Sequence, residues 1–466
     1  MFICVKGGFV YDGHSFYQKD VLVRDGRVFK VSECGAVDFS KCDKVIDAED
    51  KYIFPGFVDV HVHFREPGFS YKETIETGAA AAAAGGYTDV CAMPNLRPVP
   101  DSGEHLKEEL KLIRAAGCAG TASGENADHE NRKRSGINVY PYGSISVGEE
   151  GKEIAALEEM AQDVAAFSDD GRGVADDGLM REAMERSKAL GKVIAAHCED
   201  MSVIKGSCVH DGKVSKLLGI EGITSESEWK MIERDVRLAE ETGCAYHVCH
   251  VSAAESVEII RQAKKRGVNV TCETAPHYLL LCEDDIVARL SGTKTDKELF
   301  KGNPDAAFAQ SPEKLGRFKM NPPLRARKDM EAVLGGLLDG TIDMIATDHA
   351  PHSEEEKAKG LLAGPMGVVG LECAFPILFT KLVREKVISL EKLVYLMSIA
   401  PAARFGIECG IKEGWEAKFG IWDLEESYTI DPSKFRSKGR YTPFEGEKVY
   451  SRCLMTICGD VIVFER

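Results

Sequence analysis

The sequence has no Cys-x-x-Cys pair, although it carries 15 cysteines in 466 residues. Thiols scattered as these are (Cys4, Cys34, Cys42, Cys91, Cys118, Cys198 and onward) argue against a disulfide frame and read mostly as reduced, small buried hydrophobes. Basic charge is also in deficit: 59 Lys and Arg against 75 Asp and Glu give a formal charge of −16 and a pI near 5.4. That balance argues against a general phosphate-binding surface, so an anionic substrate would need a local basic group. No apolar run reaches membrane-spanning length, and the start, MFICVKGGFVYDG, lacks the basic flank and apolar segment of a secretory signal. A cytoplasmic location is the expectation. No short repeat is present.

What the chain does have is 44% hydrophobic residues, enough for one large catalytic domain and a smaller companion. Residues 1–53 alternate short apolar stretches (Phe2 to Val5, Val21 to Val23, Val28 to Val31, Lys44 to Ile46) with turn signals at Gly7-Gly8 and Asp25-Gly26. This texture predicts a meander of antiparallel strands. Residues 405–466 share it, in Phe419 to Trp422, Leu454 to Cys458 and Val461 to Phe464, and the two ends are expected to form one small β domain.

Between them, over 54–404, strand and helix patterns alternate. Strands are predicted at Gly56 to His63, Tyr87 to Met93, Ile137 to Tyr142, Val164 to Ser168, Lys192 to His197, Cys244 to His250, Val268 to Glu273 and Ile342 to Asp348. Helices are predicted at Lys72 to Ala84, Glu104 to Ala116, Gly178 to Leu190, Ser227 to Glu241, Ala254 to Lys265 and Lys328 to Leu338. The pattern favours a (β/α)8 TIM-like barrel over a doubly wound sheet, with a small β-sandwich domain formed by both termini. A polar stretch at 291–317 interrupts the rhythm and reads as a surface insertion, with local helix near 295–301 and 304–310.

The stretch FPGFVDVHVHFR, Phe54 to Arg65, drives an apolar run into two histidines one residue apart. Strand alternation turns His61 and His63 to the same side, where two imidazoles can grip one metal ion. Such a pair also occurs by chance at strand ends, so the rest of the chain has to decide. Further polar groups fall at the predicted strand ends: Arg65, Asn95 in MPN, Asp169 and Asp170 in FSDDG, His197 in AAHCED, His250 in HVCHVS and Asp348 in ATDHAPH. A barrel assembles its active site at that rim. A nitrogen and oxygen ligand set suits zinc, with manganese, cobalt or iron also compatible. Two ions bridged by an aspartate would acidify the water between them, which implies metal-assisted hydrolysis. Asp348 could take the water's proton and pass it to a leaving nitrogen.

DVHVHFREPG (Asp59 to Gly68), AAAAGGYTDVCAMPN (Ala81 to Asn95), FSDDG, AHCED, HVCHVS, KMNPPLR (Lys319 to Arg325) and ATDHAPHSEEEK (Ala346 to Lys357) together resemble the amidohydrolase superfamily, and within it the class I dihydroorotases. The resemblance covers nearly the whole chain. It implies zinc, one or two ions per subunit, with His61 and His63 on the first metal, His197 and His250 on the second, Asp170 bridging and Asp348 as catalytic acid/base and a further ligand. It implies that Asp169 supports its loop. For substrate it implies that Arg65, Asn95 and His352 clamp a carboxylate, while Asn321 and the backbone around Met366-Gly367 read the ring amides.

The implied reaction is reversible hydrolysis of the cyclic amide of dihydroorotate to N-carbamoyl-L-aspartate, running as ring closure in pyrimidine biosynthesis. A guanidinium beside Asn95 suits the substrate's carboxylate. The family also implies a homodimer and association with an aspartate carbamoyltransferase. Two departures stand out. Many relatives bridge their metals with a carboxylated lysine where this chain has Asp170, and the covering loop reads AGPMGVVG, with Met366 before its Gly. A hydantoinase or allantoinase would share fold and metals, but Arg65, Asn95 and Asp170 count against it. An inactive scaffold for a carbamoyltransferase would be expected to lose ligands that this chain keeps. Remaining polar residues are read as structural: His247 on the opposite strand face, His277 in a structural hydrogen bond, His349 facing away from the rim, Cys198 packed outward, and Glu199 in a loop or helix cap. His14, His105, His129 and His210 need no special role.

Overall fold

The computed structural model describes residues 2–120, 136–204, 208–291 and 315–466. His129 and both helices expected within 291–317 lie outside the described residues.

Five strands open the chain: β1 (Phe2–Tyr11), β2 (Phe16–Arg24), β3 (Arg27–Glu33), β4 (Lys44–Asp47) and β5 (Tyr52–Pro55). Seven follow in the central part: β6 (Phe57–Val62), β7 (Tyr87–Ala92), β8 (Asn138–Pro141), β9 (Val193–Ala196), β10 (Ala245–Val248), β11 (Val270–Thr274) and β12 (Met344–Ile345). Three close the chain: β13 (Lys418–Thr429), β14 (Lys448–Cys458) and β15 (Val461–Glu465).

The two chain ends share one sheet, in the order β15-β14-β13-β5-β1-β2-β3 with β4 beside β1. The junction is the antiparallel pairing of β13 with β5, Phe419 opposite Pro55 and Trp422 opposite Tyr52. Asp25 and Gly26 both have positive φ (51° and 75°), the backbone that a two-residue hairpin demands, and Arg24 pairs with Arg27 across them. Two local expectations need correction. Gly7-Gly8 is a register shift inside β1 rather than a turn, and β4 and β5 run parallel to β1, so the N-terminal part is not a simple meander. A bulge absorbs the glycine pair because the strand on either side keeps its ladder to β2.

The central strands are all parallel, in two sheets ordered β6-β7-β8 and β12-β11-β10-β9. Their residues are buried on both faces, which explains the near-continuous apolar runs. The strand expected at Val164 to Ser168 is only a bridge: Phe167 pairs in parallel with Gly143 on one side and Ile194 on the other. Backbone bonds still run both ways there, from Gly143 N–H to Ala166 O (3.1 Å) and from Ala195 N–H to Phe167 O (2.9 Å). The ladder stops because Asp169 to Gly171 turn away after Ser168 N–H has donated to Gly143 O (2.9 Å), Gly171 with φ 81°. His349 likewise bridges Val62 and Val368, so the end of the eighth predicted strand lies against β6.

Flanking helices occupy Ile75–Ala84, Gly103–Ala115, Asp177–Ala189, Glu226–Thr242, Ala254–Lys265 and Arg327–Asp339. The first starts three residues later than the apolar pattern suggests, because the Thr74 hydroxyl accepts from Thr77 N–H and caps it. Where the terminal sheet meets β6, Trp422 packs on Phe57 (centroids 5.6 Å apart) and Phe375 (4.6 Å). Trp422 is 1% exposed, and burial of a large aromatic contributes about 3 kcal/mol. This contact helps fix the terminal sheet behind the strand that delivers His61 and His63.

Candidate metal centre

His61 and His63 leave the end of β6 with 0% and 4% exposure. Asp170 enters on the turn after Phe167, His197 follows β9, His250 follows β10, and Asp348 follows β12. All are buried. His250 and Asp348 have positive φ (32° and 48°), a costly backbone for these residue types that recurs where side chains are aimed at a site.

The aspartates sit among the imidazoles. Asp170 Oδ1 is 3.4 Å from His61 Nε2, 3.8 Å from His197 Nδ1 and 3.9 Å from His250 Nε2. Its other oxygen is 3.6 Å from His63 Nε2 and accepts from Asn95 Nδ2 at 3.2 Å. Asp348 Oδ1 lies 3.2 Å from His63 Nε2 and 3.6 Å from His61 Nε2. His197 Nδ1 and His250 Nε2 are 2.8 Å apart. Ligand-type atoms of His61, Asp170 and His250 fall within 4.8 Å of one another, as do those of His61, His63 and Asp348.

The donor set fits a divalent ion. His61 Nε2 and Asp170 Oδ1 are buried without a hydrogen-bond partner, a costly state for polar atoms that face each other across 3.4 Å. The imidazole nitrogens and carboxylate oxygens of these two groups suit zinc or a harder first-row ion. The local field is strongly coupled. Burial disfavours charge on Asp170, but His61, His63 and His197 outweigh it and hold the carboxyl well below the ordinary range. Burial, then His197 and His61, push the His250 imidazole down to about 4. A neutral ring is the ligating form.

Asp169, beside Asp170, accepts from Ile145 N–H (2.8 Å) and Ser146 N–H (3.0 Å) and from the Ser146 hydroxyl. Asn95 Oδ1 is 3.0 Å from His63 Nδ1, which must donate to it, so Asn95 touches the histidine and Asp170 together. Arg65, with φ 60°, donates from Nε to Pro351 O (3.2 Å) and lies 3.5 Å from His352 Nε2. His352 Nε2 donates to Met366 O (2.7 Å), and its Nδ1 accepts from Lys72 Nζ (3.1 Å). Burial, with Arg65 and Lys72 nearby, drives this imidazole down to about 2 and fixes it neutral. Asn321 Nδ2 donates to Glu199 Oε2 (3.0 Å) and is 3.3 Å from His197 Nε2.

Several residues read as bystanders are part of this arrangement. Glu273 Oε1 accepts from His61 Nδ1 at 2.7 Å, and its Oε2 lies 3.1 Å from His247 Nε2; His247 Nδ1 in turn meets Thr271 Oγ1 at 2.8 Å. His247 is thus packed, as expected, and is joined to His61 through Glu273. Glu199 does lie in the loop after β9, and from there it touches His197 at 3.3 Å. His277 is 2% exposed with Nε2 unpartnered, so it lacks the expected hydrogen bond at that atom. Asp59 accepts from His61 N–H (3.1 Å) and Thr347 N–H (3.2 Å), tying β6 to the segment before Asp348. A signal was present in each case: Asp59, His247 and Glu273 are ionisable residues within apolar strands, and buried ionisable groups are rarely without a partner. Cys198 packs outward against Tyr246 and Asp235, and His349 faces Gly370 N–H and Glu73.

Four histidines and two aspartates converging from parallel strands define a metal-dependent hydrolase of the amidohydrolase class. A family model described as dihydro-orotase-like matches residues 50–256. Curated dihydroorotases from Bacillus cytotoxicus and Bacillus cereus are 44% and 45% identical to this chain over 463 residues, 99% of the chain and 97% of each relative. The chain belongs to the dihydroorotase family. Among solved structures, an L-hydantoinase (dihydropyrimidinase) from Arthrobacter aurescens superposes with a TM-score of 0.78 at 26% identity, covering 100% of this chain and 96% of that one. A dihydropyrimidinase from Brevibacillus agri shares the fold at 22% identity, with a TM-score of 0.76 and coverage of 100% and 95%.

Proposed function

We infer that this chain is a dihydroorotase, opening the cyclic amide of (S)-dihydroorotate to N-carbamoyl-L-aspartate and, in reverse, closing that ring in pyrimidine biosynthesis. The observation that carries the reading is identity of 44% to curated dihydroorotases over 99% of a chain whose His61, His63, Asp170, His250 and Asp348 gather in one buried cluster.

His61 and His63 would hold one zinc ion, His197 and His250 a second, with Asp170 between them and Asp348 at the first. Asp170 lies within 3.9 Å of imidazoles of both pairs, His61 and His63 as well as His197 and His250, and this supports the bridging assignment. A bound divalent ion acidifies water near neutral pH and polarises a carbonyl. The chain's own residues do the rest. Burial opposes charge on Asp348, but His61 and His63 outweigh it and keep the carboxylate ionised, ready to accept a proton. Water oxygen adds to the ring carbonyl carbon, the bond from that carbon to the ring nitrogen breaks, and Asp348 returns the proton to that nitrogen. The products are a carboxylate and a carbamoyl group. Arg65 and Asn95 hold the substrate's carboxylate, and His352, read in the same clamp, joins them by turning its one N–H from Met366 O to the carboxylate; Asn321 with the Met366 and Gly367 backbone reads the ring amides.

We also read the parallel strands as one closed (β/α)8 barrel over 54–404, and 1–53 with 405–466 as a small β-sandwich domain. The bridges of Phe167 and His349, which link the two parallel sheets at either side, support closure. A separate apolar core around Ile3, Val5, Phe419 and Ile457 supports the terminal domain. The family supports a cytoplasmic homodimer that associates with an aspartate carbamoyltransferase; sedimentation of the chain alone and with that enzyme tests both. Among the described residues no helix is long and apolar enough to cross a membrane.

Spectrophotometric assays on dihydroorotate, hydantoin and allantoin test the activity. Turnover of dihydroorotate alone is the expected result, and turnover of only the other two overturns the reading in favour of a hydantoinase or allantoinase. Metal loading without turnover of any of the three would favour the inactive scaffold.

A further inference from the structure

Lys357 is fully buried (0% exposed), yet it faces no carboxylate among the described residues. Its ammonium instead donates to three backbone carbonyls: Gly367 O at 2.7 Å, Lys319 O at 3.1 Å and Pro365 O at 3.1 Å. These use all three donors of the group. A lysine without a counter-ion is an expensive thing to bury, so a purely space-filling role is better served by methionine or leucine.

The carbonyls it gathers come from the two segments to which ring recognition is assigned. Lys319 lies two residues before Asn321. Pro365 and Gly367 flank Met366, whose carbonyl accepts from His352 Nε2 at 2.7 Å. Gly367 N–H also donates to Lys319 O at 2.9 Å, so both segments meet at one point. Gly367 has φ 132°, and a Cβ there would stand 2.6 Å from Ala350 O and 3.0 Å from His352 Nε2. The turn is therefore pressed against the chain that runs from Asp348 to His352. Lys357 itself ends the short helix Glu354–Lys357, which the Ser353 hydroxyl caps directly after His352. One side chain thus connects the Asn321 segment, the Met366-Gly367 turn and the His352 segment.

We propose that Lys357 is a positioning residue for substrate recognition: by holding the carbonyls of Lys319, Pro365 and Gly367 on one ammonium, it sets the spacing between Asn321 and the Met366-Gly367 turn, and so the width of the slot that grips the ring. The inference rests on the dihydroorotase reading and adds to it a residue that touches neither substrate nor metal. Its signature is a loss of ground-state and transition-state binding together, which raises KM and spares kcat.

The test compares wild type, K357M and K357A on dihydroorotate, with metal content and circular dichroism measured on each. K357M keeps the length of the side chain and removes its donors. It is expected to raise KM about tenfold or more, the equivalent of one or more net hydrogen bonds, with kcat held within about threefold. In K357A, added ethylammonium is expected to lower KM again by re-occupying the vacated space, while sodium chloride at the same ionic strength does not. An unchanged KM in K357M, a fall in kcat alone, or equal rescue by salt overturns the proposal. Loss of the folded spectrum in both variants makes the lysine a folding element and overturns it too. Absence of turnover in wild type overturns the functional reading and this inference with it, which distinguishes the two failures.

Discussion

His61 Nδ1 and Glu273 Oε1 lie 2.7 Å apart at the buried end of the strands, joining the first histidine of the metal centre to a carboxylate that touches no other donor of the cluster except the His250 backbone. Burial works against charge on Glu273, but His61 and His247 outweigh it and hold its carboxyl at about 2. The bond commits Nδ1 of His61 to donation, so Nε2, which faces Asp170, is the nitrogen left to ligate a metal ion. An outer carboxylate of this kind fixes the tautomer and raises the basicity of a ligating imidazole.

Glu273→Gln should therefore weaken metal binding by about 10- to 100-fold while the fold persists. Competition against a chromogenic chelator measures the affinity directly, independent of turnover. Equal affinity in mutant and wild type would show that His61 is oriented by packing alone.

Asp348 is assigned the proton transfer, and its geometry separates that role from simple ligation. Replacement by Asn keeps an oxygen within reach of His63 but cannot accept a proton. Turnover of dihydroorotate should fall by about 10²- to 10⁴-fold, the usual contribution of a positioned acid/base. Metal content should stay largely intact, because His61, His63, Asp170, His197 and His250 remain. Wild-type activity in the Asn variant would remove Asp348 from the mechanism.

How much of this was legible in the sequence follows from what each residue needs. His61, His63, His197, His250 and Asp348 could be placed because strand alternation and the position of a strand end determine where they point. The helices were legible to within a few residues for the same reason of periodicity. Glu273 and His247 were not, because their importance lies in contact with each other and with His61 across neighbouring strands, and no period along one strand encodes that. The strand at Val164 to Ser168 was overcalled since apolar pattern marks burial, whereas a ladder also requires a straight run that the turn into Asp170 cuts short. Parallel pairing of β4 and β5 with β1 was missed because short alternating strands look the same in either direction.

Arg65 offers a separate check on substrate choice. Its guanidinium sits beside His352 at the mouth of the centre, with Nε committed to Pro351 O, which leaves the terminal nitrogens for a carboxylate. Lysine at this position retains the charge but loses the planar fork. Arg65→Lys should raise KM for dihydroorotate about tenfold or more with a smaller change in kcat, since a bidentate charged pair is replaced by a single contact. Steady-state kinetics decide the matter: an unaltered KM would take Arg65 out of the carboxylate clamp.

Glu73 supplies a test of stability rather than catalysis. It is fully buried, and its carboxylate accepts from Lys438 N–H (3.1 Å) and from the hydroxyls of Ser437 and Thr77, with His349 Nε2 at 3.6 Å. These contacts tie the C-terminal segment to the residue next to Asp348. Burial opposes the charge, yet His349 and Ser437 outweigh it and lower the carboxyl below its ordinary 4.5. The unfolded chain then binds a proton at a higher pH than the folded one, so the stability due to ionised Glu73 is complete above about 4.5 and is lost as pH falls through the folded value. Glu73→Gln should accordingly cost about 1–3 kcal/mol at pH 7, the penalty for a buried charged network that loses its acceptor. The difference from wild type should begin to shrink as the pH drops below about 4.5, where the carboxyl of the unfolded chain takes up its proton, and should go on shrinking until the folded one does too. Denaturant midpoints for both proteins between pH 7 and pH 4 measure this, and a difference that stays constant across that range would show that the network is held by shape and not by the charge on Glu73.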